Sequence, residues 1–376
     1  MGTEFMMGAE NKFSFAAFCL LMRELDLNPE HKVKLPVFLD ATCSGIQHLA
    51  AIIKDCELAK EVNLIPRDHL DVPADIYEAL RTPINEEIRK TGRENASYPN
   101  LEYVNLSRSD VKHPIMTKTY KVTLYGVNEQ LKDKFRIGKS KIFKVSSINS
   151  GETIILRKPD IMKIAEIINK SIFIKYKGLN FIYNYFIEMA KLKSKLGLPL
   201  VWLTASGLLL TQKYYKSKET KISLTLAGKT KKLVIRDMTT SLDPRKQNNS
   251  IIPNVIHSLD ASHVANIINN TVDNPNDFPI ITIHDCFGTH PNYMNKLEEI
   301  VKLEFVALYA SESFLNKFHD RNLQSIEDYG LKIKKDKLLG QDYVIYKTRS
   351  KLYIPNIPKL GNLNINNVLK SKYIIN

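Results

Sequence analysis

The chain has 376 residues, 44% hydrophobic and 25% charged, a globular composition with room for one broad core or roughly two to three subdomains. No apolar run approaches the ~18 residues of a membrane-spanning helix, so no membrane partner is expected. The formal net charge of +14 and a pI of about 9.3 point to a polyanionic partner, nucleic acid first, against the plainer reading of a solvated basic surface.

Residues 1–12, opening with "MGTEFMMGAE", have no apolar core and are expected to be disordered or vector-derived. Periodicity then predicts a helix over 13–25, "FSFAAFCLLMREL". The stretch 34–55, "KLPVFLDATCSGIQHLAAIIKD", reads as a strand, a polar break at Asp40 and a helix from near Ser44. Residues 71–90 form an amphipathic helix entered by Pro73. A longer helical region follows over 107–135, with Pro114 breaking it or lying near its start. Two helices are expected at 159–176 and 181–197, and "KISLTLAGKTKKLVI" (221–235) alternates as a β-hairpin around Ala227-Gly228-Lys229. Residues 251–272 read as a helix entered from Pro253, and 294–318 as one more. Between these two, "FPIITI" (278–283) reads as a buried strand, and Phe287-Gly288-Thr289 as the turn after it. The whole is mainly helical with few strands, without repeats or low-complexity linkers.

Four cysteines, Cys19, Cys43, Cys56 and Cys286, form no CxxC pair and read as reduced thiols. The chain is rich in Asn, Ile and Lys, whose AT-rich codons hint at an organellar or plasmid genome.

Two carboxylates each follow a strand: Asp40 after "LPVFL" and Asp285 after "IITIH". If those strands are neighbours, the pair converges and suits two magnesium ions clamping a phosphoryl group. The alternative is that each is an ordinary strand-end turn residue. Arg108 and Lys112, four apart, share a helix face, and Tyr120 falls nearly on it. Such a face suits a nucleoside triphosphate, cations to phosphates and ring to sugar or base, with His113 a further donor, but a solvated basic helix would look the same. His257 and His263, six apart, do not share a face, and with no HExxH or Cys/His cluster a zinc site is not expected.

Four stretches occur in order: "DATCSGIQHLAA" (40–51), "RSDVKHPIMTKTYKVTLYG" (108–126), "IIPNVIHSLDASH" (251–263) and "IHDCFGT" (283–289). Together with the terminal "GNLNINNVLKSKYIIN" (361–376), they resemble the motifs of single-subunit DNA-directed RNA polymerases of phages and mitochondria, nearest to those of mitochondrial linear plasmids of fungi and plants. The resemblance implies a mitochondrial nucleotidyltransferase active in transcription. It implies two Mg²⁺ ions on Asp40 and Asp285, Arg108 and Lys112 on the triphosphate, and Lys112 protonating the leaving pyrophosphate. Tyr120 would sense the sugar and His257 the ribose 2′-hydroxyl, with Tyr77 near the nucleotide pocket. Implied partners are a DNA template, nascent RNA and ribonucleoside triphosphates.

The departures are Lys121 where glycine is common after the tyrosine, Ala41-Thr42 where Gly-Ser is frequent, and Cys286 where serine is frequent. Full members are more than twice as long, so a promoter-binding N-terminal domain and a thumb are expected to be missing upstream. The implied fold is an α+β right-hand polymerase, predominantly helical with a small antiparallel palm sheet. Its parts would be palm (13–60), fingers with the nucleotide-binding helix (61–240), and palm plus C-terminus (241–376). Two rivals stand beside this reading. One is a truncated remnant that only binds nucleic acid. The other is a family A DNA polymerase, disfavoured because its first motif usually places glutamate where Gly45 stands.

Overall fold

The computed structural model describes all residues except 1–6, 10, 68–70, 139, 150, 227–228, 273–277, 311–312 and 348–349. Helices dominate, and the strands gather into small antiparallel sheets. The expectation of a disordered or vector-derived segment over 1–12 falls mostly outside the described residues. Lys12 already belongs to helix α1 (Lys12–Leu27), capped by the Asn11 side chain.

A three-stranded sheet positions the carboxylates. Strand β1 (Val37–Asp40) pairs with β9 (Cys286–Thr289), which pairs with β8 (Ile281–Ile283). The register sets Asp40 opposite Cys286 and Phe38 opposite Gly288. A Cβ added to Gly288 would lie 2.6 Å from the Phe38 ring, so a side chain here would have to push that ring aside. Residues 283 and 286 pair across the tip. The turn is therefore His284-Asp285, and Phe287, Gly288 and Thr289 lie in β9 instead of forming the expected turn. Strand β8 is largely exposed rather than buried, because this sheet is small. On the other side of β1 the chain's last residues join the sheet: Asp40 N–H donates to Asn376 C=O at 3.0 Å and Asn376 N–H returns to Asp40 C=O at 2.9 Å. The Asp40 backbone is thus held from both sides.

Helix α2 (Ser44–Ile53) follows β1 and is buried along its whole length. After α3 (Cys56–Glu61), α4 (Ile76–Glu94) starts at Asp75, whose carboxylate caps the Tyr77 and Glu78 N–H groups, rather than at Pro73. The 107–135 region is two helices, α5 (Arg108–Thr119) and α6 (Leu124–Phe135). Pro114 sits inside α5, and the break falls at Tyr120–Thr123, where Lys121 takes φ +60°. A left-handed residue cannot continue a helix, which explains why glycine would be the easy choice there.

Strands β2 (Phe143–Ser146) and β3 (Thr153–Leu156) form a hairpin, followed by α7 (Lys158–Lys175) and α8 (Lys177–Leu196). A short hairpin of β4 (Leu200–Leu203) and β5 (Leu209–Gln212) leads to a long exposed one, β6 (Tyr215–Leu226) and β7 (Lys229–Leu242). The latter extends the expected hairpin at both ends; its turn residues Ala227 and Gly228 lie outside the described residues. Helix α9 (Pro244–Val272) starts before the expected entry, so Pro253 is interior to it. It packs against α8, α2 and α10 (Met294–Ala310), at the centre of the core. The single helix expected over 294–318 is instead α10 and α11 (Phe314–Glu327). A last sheet of β10 (Ile333–Lys335), β11 (Asp342–Ile345) and β12 (Lys351–Tyr353) precedes the terminal segment. The cysteines are free thiols.

Candidate active site

The strand pairing brings Asp40 and Asp285 together across 245 positions of sequence. The Ala41 N–H donates to Asp285 C=O at 3.1 Å, and His284, at φ +55°, turns the tip so that Asp285 directly precedes β9. Burial, and then the charge of Asp285, pushes the Asp40 carboxyl above its ordinary value, partly countered by the Ala41 N–H and then by Lys112. Two carboxylates with hard oxygen donors that repel each other suit a divalent cation. Among the described residues no cluster of three or more His, Cys, Asp or Glu side chains forms a closed metal cage. Cys43 and Cys286 line the same place as protonated thiols, both pushed up first by burial and further by nearby carboxylates.

Helix α5 supplies the cations. Ser107 and Asp110 close a capping box at its start, which fixes Arg108 in the first turn. Arg108 and Lys112 sit over one face of the Tyr77 ring, at 5.7 and 5.9 Å from its centroid. Arg108 is also paired with Asp75. That carboxylate therefore caps α4 and holds the guanidinium at once, and a bound triphosphate would compete for it. Burial, reinforced by Cys43 and Asp75, raises the Tyr77 phenol. His113 is exposed beside Lys112.

The end of α5 carries Tyr120. Tyr183 of α8 donates to the Thr119 carbonyl at 2.7 Å, and the Lys121 ammonium donates to the Asn248 carbonyl of α9. Burial, then Lys118 and Lys191, lowers that ammonium to about 8. So anchored, Tyr120 stacks on His257 with ring centroids 5.1 Å apart. A Cβ added to Gly45 would lie 3.0 Å from the Tyr120 hydroxyl, so the missing side chain there makes room for the phenol. Burial, with Asp260 next, pushes that phenol up to about 12, and a hydrogen bond with Ser44 pulls the other way. His263, on a different face of α9, is buried, donates to the Val301 carbonyl at 2.9 Å and is lowered to about 4 by burial. It is a core residue.

Asp40, Asp285, Lys112, Arg108, Tyr77, Tyr120 and His257 thus surround one site. Sequence reasoning missed Asp75, which holds Arg108, and Asp260, whose charge acts on the Tyr120 phenol. Asp260 lies within "HSLDASH", three residues after His257, a helical spacing that places both on one side of α9. Asp75 carried the usual helix-cap signal but nothing to say that it would meet Arg108.

The family model described as DNA-dependent RNA polymerase matches residues 1–376. This chain belongs to that polymerase family. It is 39% identical to a probable DNA-directed RNA polymerase of Gelasinospora sp. (strain G114), over all of this chain and 46% of that protein. It is 34% identical to a probable DNA-directed RNA polymerase of Neurospora crassa, over 83% of this chain and 36% of that protein. The mitochondrial DNA-directed RNA polymerase of Schizosaccharomyces pombe is 28% identical over 99% of this chain and 32% of its own length. The chain thus spans about a third to a half of the polymerases it matches.

Proposed function

We propose that this chain is the catalytic part of a DNA-directed RNA polymerase, with palm (13–60 and 241–376) and fingers (61–240) of a right-hand fold, acting in a mitochondrion on a plasmid or organellar template. The observation that carries this reading is the convergence of Asp40 and Asp285 on one sheet, faced by Lys112 of α5. Asp40 and Asp285 would hold magnesium ions, which when bound supply charge neutralisation at the reacting phosphate.

The chain's own groups divide the remaining work. Arg108 and Lys112 bind and orient the triphosphate over Tyr77. The RNA 3′-hydroxyl gives up its proton to water as it attacks the α-phosphate, the bond to the β-phosphate breaks, and Lys112 gives its own proton to the departing pyrophosphate. Tyr120 and His257 meet the sugar. Gly45 stands where family A DNA polymerases usually carry glutamate, which supports ribonucleotide over deoxyribonucleotide chemistry. Template DNA, nascent RNA and nucleoside triphosphates are the partners, and a thumb and N-terminal domain would supply grip and promoter opening.

The test is extension of an RNA primer annealed to DNA templates that differ in one templating base. Each template should direct addition of its complementary ribonucleotide only. Binding without any addition would favour the remnant reading, and preference for deoxynucleotides would overturn the assignment.

A further inference from the structure

Asp75 divides two tasks between its two carboxylate oxygens. Oδ1 accepts from the backbone N–H groups of Tyr77 and Glu78, at 3.0 and 3.1 Å, and so caps α4. Oδ2 accepts from Arg108 Nε of α5. The cap holds the carboxylate in place, so Arg108 meets an anion fixed to another helix. The side chains of the pair are only half-buried, 32% exposed at Asp75 and 47% at Arg108. The same start of α4 carries Tyr77, over whose ring Arg108 and Lys112 lie. The cation assigned above to the triphosphate thus already has an anionic partner inside the protein.

We propose that Asp75 competes with phosphate for Arg108, which keeps the grip of Arg108 weak and lets the pyrophosphate product leave readily. This rests on the reading of Arg108 as a ligand of the triphosphate. A guanidinium grips phosphate best with two parallel N–H groups. Asp75 occupies Nε, which removes the grip that pairs Nε with a neighbouring Nη. The two Nη groups remain as a fork. A phosphate on that fork meets a guanidinium whose charge Asp75 already shares, and the carboxylate repels it as a like charge. Substrate and product both present phosphate oxygens, so the competition loosens both. Looser binding of the triphosphate is tolerable once it exceeds its KM, whereas slow release of product limits many enzymes. The pair is half-exposed, so its effect is modest, about two- to fivefold in affinity, the range of an exposed ion pair. Asp75 is a positioning residue, since it acts through Arg108.

Asp75→Asn separates the two tasks. Asparagine caps a helix as well as aspartate does, so its oxygen stays on the N–H groups of Tyr77 and Glu78. Its amide, a donor, then faces the guanidinium, and the pair is lost. The first readout is the Arg108 Nε–H resonance in the arginine-labelled 376-residue chain, assigned by its loss in Arg108→Lys. It should move in Asp75→Asn while the melting temperature changes little. The second is equilibrium titration of ATP and of pyrophosphate, each with Mg²⁺, on primed template. Asp75→Asn should bind both about two- to fivefold more tightly, and pyrophosphate should become a correspondingly stronger inhibitor of primer extension. A merely structural role predicts weaker binding, not tighter. Arg108→Ala should weaken both, and Asp75→Asn added to it should restore nothing, because Asp75 acts through that cation. Unchanged or weaker binding in Asp75→Asn would overturn the proposal, as would tightening that persists in full without Arg108. If Arg108→Ala itself binds both as wild type does, the reading of Arg108 as a triphosphate ligand fails, and the competition falls with it.

Discussion

Replacing Asp40 by asparagine should stabilise the chain in the absence of divalent metal while removing its chemistry. The folded protein holds Asp40 and Asp285 on neighbouring strand ends, where burial and mutual repulsion raise the Asp40 carboxyl. Two charges at about 7 Å, typical of cross-strand neighbours, repel by about 0.6 kcal/mol at the dielectric of water and about 2.4 kcal/mol at an effective value of 20. Asp40 is only partly buried, which places the cost near the lower figure, about 0.6–1 kcal/mol. For a chain of this length the entropy of unfolding is on the order of 0.8 kcal/mol per kelvin, so Asp40→Asn should raise Tm by about 1 °C at neutral pH in EDTA. The sign with pH is fixed by the direction of the shift. A carboxyl raised in the folded state costs no stability below its unfolded value of 3.8 and destabilises increasingly as pH rises through the folded value. The advantage of the variant should therefore shrink as pH falls toward 4. Added Mg²⁺ should raise Tm of the wild type and not of the variant. Scanning fluorimetry across pH, with EDTA or Mg²⁺, measures all of this. A variant less stable than wild type at neutral pH, or an advantage independent of pH, would refute the reasoning.

Lys112→Ala should slow nucleotide addition by about 10²–10⁴ in rapid-quench extension, the range for loss of a proton donor, with DNA affinity changing little. Gly288→Ala sets a Cβ against the Phe38 ring and should cost about 1–3 kcal/mol, seen as a lower denaturation midpoint together with loss of extension activity, because β1 and β9 carry the site. Binding of this +14 chain to duplex DNA should weaken steeply with salt and show little sequence preference in anisotropy titrations. A flat salt response would remove the phosphate contacts from the reading.

Much of the site was legible because its chemistry sits in short contiguous stretches. Asp40 and Asp285 end apolar runs, and Arg108 and Lys112 repeat at helical spacing. What was not legible depends on tertiary placement. Nothing local marks Asp75 as the partner of Arg108, or His48 as the link between Asp260 and Tyr309. These contacts join helices far apart in sequence. Element boundaries erred where proline was read as punctuation: Pro114 and Pro253 lie within helices. The actual break after Tyr120 falls at Lys121, a residue with no intrinsic preference for φ +60°. The exposed face of β8 shows the same limit, since an apolar β-branched run announces a strand but not the size of the sheet that receives it.

The central claim is that Asp40 and Asp285 together support ribonucleotide addition. Its most direct measurement is single-turnover addition of ATP to an RNA primer opposite a template dT, with excess chain and Mg²⁺, in wild type, Asp40→Asn and Asp285→Asn. The expected result is a short, template-directed extension by the wild type that both substitutions abolish. Extension that survives in either variant would contradict the claim.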